Sequence, residues 1–430
     1  MALGTVKDCP DTAGPSATVL RLGNGLRLVH QEIPHLATAS VSVWVDAGTG
    51  TESALGTAHA LEHMIFRGSA AVAPGELDAV VEMCGGFSHA ATSADGVQFG
   101  LTVPTDRLAI ALTCLGDLLL TAALDPAEWV QEQAVIRHEI AEAMGDPGFA
   151  VYRALLQALF PQGANSRDIL GSPADLERLD IATLRQFHGE RYRPEHMVVA
   201  VVGGVALGAT VGMVEEAFAG SWGGAPAVCP PAAVPVSPPI SPQTLVVPGL
   251  RTSQWWLGWA GPTPAAWREA MALELVSAVL GEGRLSRLVA TLREEWGWVT
   301  DIGTAFTPWR TGGLFVLRAQ LAAEWLDEVM AVVQQQVRSL WTEGFTPGEW
   351  QRAKRLLKNQ FAFAMEDPNQ LAAFLGYQVL AGNGDYVADW SRTYPALVEA
   401  LTPEFVQAIA QNYLGRSPAS VLAHPDAALD

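Results

Sequence analysis

Apolar and polar residues alternate over Leu26–Ile33 and again over Ala39–Val45, the period of two that marks half-buried strands. Ser88–Ser93 and Val97–Val103 flank Ala94-Asp95-Gly96, which reads as a hairpin closed by an Asp-Gly turn. Elsewhere the period lengthens, and Ala58–Phe66, Arg107–Ala122, Pro126–Ala143 and Phe149–Leu159 read as helices. Helices outnumber strands and the strands come in hairpins. The expected fold class is therefore α+β, with antiparallel sheets packed by helices, not a parallel α/β sheet.

The pattern breaks once, over Gly223–Gln243, where GGAPAVCPPAAVPVSPPISPQ admits neither helix nor central strand. This divides the chain into an N-terminal domain over 1–222, a linker over 223–243 and a C-terminal domain over 244–430. The two long parts resemble each other. HEIAEAMGDP from His138 parallels NQFAFAMEDP from Asn359, and SVSVWVDAG from Ser40 parallels SQWWLGWAG from Ser253. Offsets of 221 and 213 residues differ by no more than loop insertions would produce. Two related domains of one fold are expected.

Composition narrows the function. With 49% hydrophobic residues and 14 Trp in 430 residues, the chain can build sizeable cores. A formal charge of −19 excludes nucleic acid as the main partner, because phosphate binding needs a basic stripe. The opening residues lack a basic stretch followed by an apolar one, and no apolar run reaches membrane-spanning length, so neither a signal peptide nor a membrane partner is expected. Cys9, Cys84, Cys114 and Cys229 have no paired close spacing. A reducing cytoplasm is the expected location.

The chemistry-bearing motif is His59-Ala60-Leu61-Glu62-His63. Histidines at i and i+4 of a helix project from one face and can share a tetrahedral Zn²⁺. Glu62 flanks that position and suits a general base for a water activated by the metal. A catalytic zinc needs a third protein ligand and an open position. Downstream, Glu132 and Glu139 lie two turns apart on one face of an acidic helix. By pattern alone, such a pair reads first as a solvated charged face.

HALEHMIFRGS, followed by VIRHEIAEA, resembles the pitrilysin and mitochondrial processing peptidase family. That resemblance covers essentially the whole chain. The family pattern is HxxEH with a ligand Glu 76 residues after the second His, the place of Glu139, and a further Glu seven residues before it, the place of Glu132. It implies that His59, His63 and Glu139 are zinc ligands, that Glu62 is the base, and that Glu132 orients a ligand or the water. It also implies two like domains forming half of a clam-shell chamber, with extended peptides docking along an edge strand. There His89 and Ala90 stand where relatives carry Asn-Ala. His138, next to Glu139, points about 100° away and is incidental.

The chain departs from the family in two places. In the C-terminal half the position of Glu139 is Gln360, and the counterpart of HALEH, near Ala272–Ser277, offers no histidine. The family also uses an Arg and a Tyr seven residues apart to hold substrate and stabilise the oxyanion. Here Arg293 is present, but the Tyr position is Thr300. Two-chain relatives divide the metal and the Arg/Tyr pair between subunits. The expectation is a zinc endopeptidase subunit acting on short or unfolded peptides, with a homologous partner supplying Arg/Tyr, or a homodimer. The alternative from another class is a non-catalytic scaffold subunit of a larger assembly. Retention of Glu62 favours the enzyme.

Overall fold

The computed structural model describes residues 16–161, 163–219 and 242–426. Most of the 223–243 linker, together with Cys9 and Cys229, lies outside the described residues, although Gln243 already opens a strand. Cys84 and Cys114 are free and half-buried.

The fold is α+β and is built on two sheets. The first contains β1 (Thr18–Arg21), β2 (Arg27–Glu32), β3 (Thr38–Val45), β4 (Phe87–Thr92), β5 (Val97–Pro104) and β6 (Met197–Gly203), in the order β1-β2-β6-β3-β5-β4. The second contains β7 (Gln243–Val247), β8 (Ser253–Gly261), β9 (Val299–Thr307), β10 (Gly313–Leu321) and β11 (Ala419–Pro425), in the order β7-β11-β8-β10-β9. Apart from β1, the two orders superimpose strand for strand. The repeated segments SVSVWVDAG and SQWWLGWAG begin equivalent strands, β3 and β8.

The sheets are antiparallel except at one place each. β2 pairs with β6, and β7 with β11, in parallel. The expected all-antiparallel pairing is corrected to that extent: each parallel pair joins strands far apart in sequence, beyond the reach of hairpin signals.

The predicted helices are found at Thr57–Ile65, Leu108–Thr121, Pro126–Gly145 and Pro147–Leu159. One face of the first sheet carries Val41, Val43, Phe99 and Leu101 against Leu61, Met64 and Ile65 of helix Thr57–Ile65. Its other face is covered from the second half. Leu371, Leu375 and Val379 of helix Pro368–Leu380 pack on Val29, Val198, Ala200 and Val202. The exchange is reciprocal, since Val151, Leu155 and Leu159 of helix Pro147–Leu159 pack on Ala260, Val421 and Ala423 of the second sheet.

The second sequence repeat explains how the chain makes each crossing. Helices Pro126–Gly145 and Pro347–Glu366 both end in an Asp-Pro pair. Asp146 and Asp367 accept from the N–H groups of Gly148 and Asn369 at 2.8 and 2.9 Å, capping the next helix, and the following Pro takes its first position. Asp-Pro thus ends one helix and starts the exchanged one. Among the described residues no helix is long and apolar enough to cross a membrane.

Candidate metal centre

Helix Thr57–Ile65, hereafter the motif helix, is anchored by its apolar face, which leaves His59, Glu62 and His63 directed toward helix Pro126–Gly145. His59 Nε2 and His63 Nε2 lie 3.5 and 3.2 Å from the same Glu139 oxygen, Oε2. One donor atom from each of His59, His63 and Glu139 falls within 4.8 Å of the others. Glu139 lies 76 positions after His63 in the sequence, and the fold brings it to both histidines.

Protonation follows from the partners. Glu132 Oε2 lies 3.0 Å from His63 Nδ1, and a carboxylate only accepts, so Nδ1 donates to it and Nε2 is the ring nitrogen that faces Glu139 and would meet a metal. Glu132 is buried and also pairs with Arg67, one turn after His63. Burial, with His63 alongside, lowers the His59 pKa to about 4, keeping that ring neutral and able to ligate. Burial raises the Glu62 pKa, opposed by the hydroxyl of Thr92, which donates to Glu62 Oε2. Two imidazoles and a carboxylate are a donor set that suits Zn²⁺. The Glu139 side chain is 39% exposed, so the cluster opens to solvent on one side, as a catalytic site requires.

The remaining candidates fall elsewhere. β4 is an edge strand of the first sheet, as a peptide-docking strand must be, with β1 at the opposite edge. Thr92 at its end reaches Glu62, and Ala90, two residues earlier, packs on the core beneath the motif helix. Strand alternation therefore turns His89 to the opposite face, where its ring lies over Gly100 and beside Phe87. Arg293 pairs with Glu294 and lines a cavity of about 540 Å³ with Tyr152, Trp256 and Arg318, which shares no residue with the metal cluster. The Thr300 hydroxyl donates to the Gln320 carbonyl of the neighbouring strand at 3.2 Å. In the second half Gln360 donates to Glu282 at 3.0 Å, so an amide–carboxylate pair occupies the position equivalent to Glu139. His138 is exposed and pairs with Glu142.

Sequence reasoning missed Arg67, Thr92 and Tyr192. Arg67 stands at i+4 from His63, a spacing that could have signalled it. Tyr192 is fully buried near Glu62, its hydroxyl has no hydrogen-bond partner among the described residues, and no sequence pattern marks it.

Two like α+β halves, one of which carries an HxxEH helix facing a third carboxylate, are the frame of a two-domain metallopeptidase. The chain belongs to the insulinase (peptidase M16) family. Residues 27–172 match the family model described as insulinase, peptidase family M16, and residues 178–357 match the one described as peptidase M16 inactive domain. An uncharacterized zinc protease of Mycobacterium leprae is 30% identical over 381 residues, covering 85% of this chain and 83% of its own length. The mitochondrial-processing peptidase subunit beta of Blastocladiella emersonii is 34% identical over 193 residues, covering 44% of this chain and 42% of its own. Among solved structures, a protease from Helicobacter pylori superimposes with a TM-score of 0.86 at 21% identity, over 96% of this chain and all of that one. That likeness supports the fold.

Proposed function

We propose that the chain is a zinc-dependent endopeptidase subunit that hydrolyses short or unfolded peptides. The observation that carries this reading is the convergence of His59, His63 and Glu139 with Glu62 held beside them by Thr92. An extended peptide adds to the free edge β4 through its backbone, so docking needs no particular side chain. His89 and Ala90 belong to that strand and shape the groove beside the peptide rather than the chemistry.

His59, His63 and Glu139 would hold the ion, which when bound lowers the pKa of a water to ~7 and polarises the scissile carbonyl. Glu62 takes the proton from the attacking water and delivers it to the leaving amine. Its burial raises its proton affinity toward that task. Glu132 fixes the His63 tautomer and ring orientation, with Arg67 holding Glu132 in turn.

Thr300 is too short to replace a phenol, and its hydroxyl is already used within the sheet. A homologous partner subunit therefore supplies the Arg/Tyr pair in this reading, and Arg293 contributes to the substrate-facing wall of the C-terminal domain. The cytoplasm is the proposed location. The rival reading, a non-catalytic core subunit, draws on the match to the inactive-domain model but leaves Glu62 without a task.

The test is to incubate the zinc-loaded chain with a mixture of unfolded peptides and read cleavage by mass spectrometry, with Glu62→Gln as control. Cleavage that vanishes in the variant, by at least ~10²-fold, is the expected result. No cleavage with zinc bound directs the search to a co-purifying chain of the same fold. If adding that chain still yields no cleavage, the enzyme reading fails.

A further inference from the structure

The motif helix starts above a buried carboxylate that the proposed hydrolysis does not use. Glu52 is 4% exposed; its Oε1 accepts from the Gly56 N–H at 3.1 Å and its Oε2 from the Ala58 N–H at 2.9 Å. The first-turn N–H groups of a helix have no partner within the helix, and an N-cap side chain ordinarily takes them. Here the N-cap is Gly56, at φ +82°, where an added Cβ would also come within 3.1 Å of the Leu170 carbonyl oxygen. The cap therefore has to come from elsewhere, and Glu52 provides it. The residue it holds, Ala58, immediately precedes His59.

Glu52 is itself held. Arg167 Nη1 donates to the carbonyls of Thr49 and Glu52, each at 2.9 Å, fixing the loop that carries the carboxylate. Two residues earlier, Asn165 donates to the Gly312 carbonyl at 3.0 Å and accepts from the Thr311 hydroxyl at 2.6 Å. Hydrogen bonds and a short stretch of chain thus link the β9–β10 loop of the metal-free half to the first turn of the motif helix.

We propose that Glu52, steadied by Arg167, is a positioning residue that sets the motif helix so that His59 and His63 meet Glu139. The inference rests on the metal-centre reading and deepens it. Its logic is that the three donors come from two separate helices. Sliding the motif helix leaves the His59–His63 spacing intact but changes both distances to Glu139, and a site tolerates only ~0.5 Å of such error. Burial raises the Glu52 pKa to about 7 against the pull of the Ala58, Gly56 and Thr57 N–H groups and of Arg167. The fold thus keeps a carboxyl where desolvation opposes its charge.

The experiment measures zinc affinity by competition with a chromophoric chelator, melting of the zinc-free chain, and peptide hydrolysis. It compares wild type, Glu52→Gln and Arg167→Gln. Glu52→Gln is expected to weaken zinc binding about 10–100-fold, the range seen when a group supporting a metal ligand is lost. It should also lower kcat more than it changes KM. Arg167→Gln should shift zinc affinity in the same direction, and it carries the test if Glu52→Gln does not fold. Lower melting temperatures with zinc affinity unchanged within about twofold would overturn the inference and leave a purely structural cap. A wild-type chain that binds no zinc would sink the metal-centre reading and this inference with it. A wild-type chain that binds zinc no better than Glu52→Gln sinks the inference alone.

Discussion

Arg310, in the loop between β9 and β10, joins the two halves through charge. Its Nη1 lies 2.6 Å from Asp46 Oδ1 at the end of β3, and its backbone N–H meets the two oxygens of Asp95 at 3.1 and 3.0 Å. Tyr377 of the exchanged helix donates to the same Asp95 at 2.7 Å. Asp46 and Asp95 are 3% and 5% exposed, and the Arg310 side chain is 9% exposed. Arg310→Met keeps the backbone bonds and much of the volume but strips Asp46 of the cation bonded to it, leaving the more distant charge of Arg27. An exposed pair would be worth ~0–1 kcal/mol, whereas removing one member of a buried pair costs ~3–5 kcal/mol. The expected loss is therefore about 100- to 1000-fold or more in the folding equilibrium. Denaturant unfolding followed by tryptophan fluorescence and circular dichroism measures it. Arg310→Met/Asp46→Asn should recover much of the loss, because the orphaned charge goes too. A loss below ~1 kcal/mol, or a double variant as unstable as the single one, would refute the reasoning.

Other perturbations separate the metal site from the scaffold. Glu132→Gln should weaken zinc binding about 10–100-fold, since an amide no longer enforces the His63 tautomer or balances Arg67; unchanged chelator competition would count against that role. Glu274, near the Tyr394 hydroxyl, has its pKa raised by burial from the ordinary 4.5 to about 7. In the window from about 4.5 to 7 the native state keeps a proton that the unfolded chain has lost, so this group's contribution declines as pH rises through it. Glu274→Gln should therefore match wild type in melting temperature at the acid end and exceed it above neutral pH. Parallel profiles would show that Glu274 does not titrate there.

The site was legible where its residues share one helix. His59, Glu62 and His63 advertise themselves through spacing alone. Glu132 and Glu139 do not, because two acids on a helix look like a solvated face until burial is known. The fold then buries Glu132 against His63 and Arg67 and leaves Glu139 at the opening. Asp95 was readable only as half of an Asp-Gly turn. Its task of holding Arg310 and Tyr377 depends on residues more than 200 positions away. His89 shows how unforgiving strands are: an edge strand could be inferred, but alternation sends this side chain to the face opposite Thr92. The helix exchange was the largest omission. Periodicity shows that helix Pro147–Leu159 has an apolar face and says nothing about which sheet that face meets.

That exchange also accounts for a half without a metal site. Gln360 and Glu282 satisfy each other at the position equivalent to Glu139, so what holds the second half in place is packing together with the polar contacts of Arg310 and Tyr377. Without helix Pro368–Leu380, the fully buried Val29, Val198, Ala200 and Val202 would face water, at ~1.5–3 kcal/mol for each valine. The Trp44 indole N–H, which donates to the Ala373 carbonyl at 2.9 Å, would lose its acceptor as well. The second sheet depends on helix Pro147–Leu159 in the same way. Neither half can be shed while the other stays folded, and the loop carrying Arg310, Thr311 and Gly312 extends that dependence to the segment holding the motif helix. The second half therefore supports the candidate metal site by packing, by hydrogen bonds and by the Arg310–Asp46 pair, while the three clustered donors among the described residues all come from the first half.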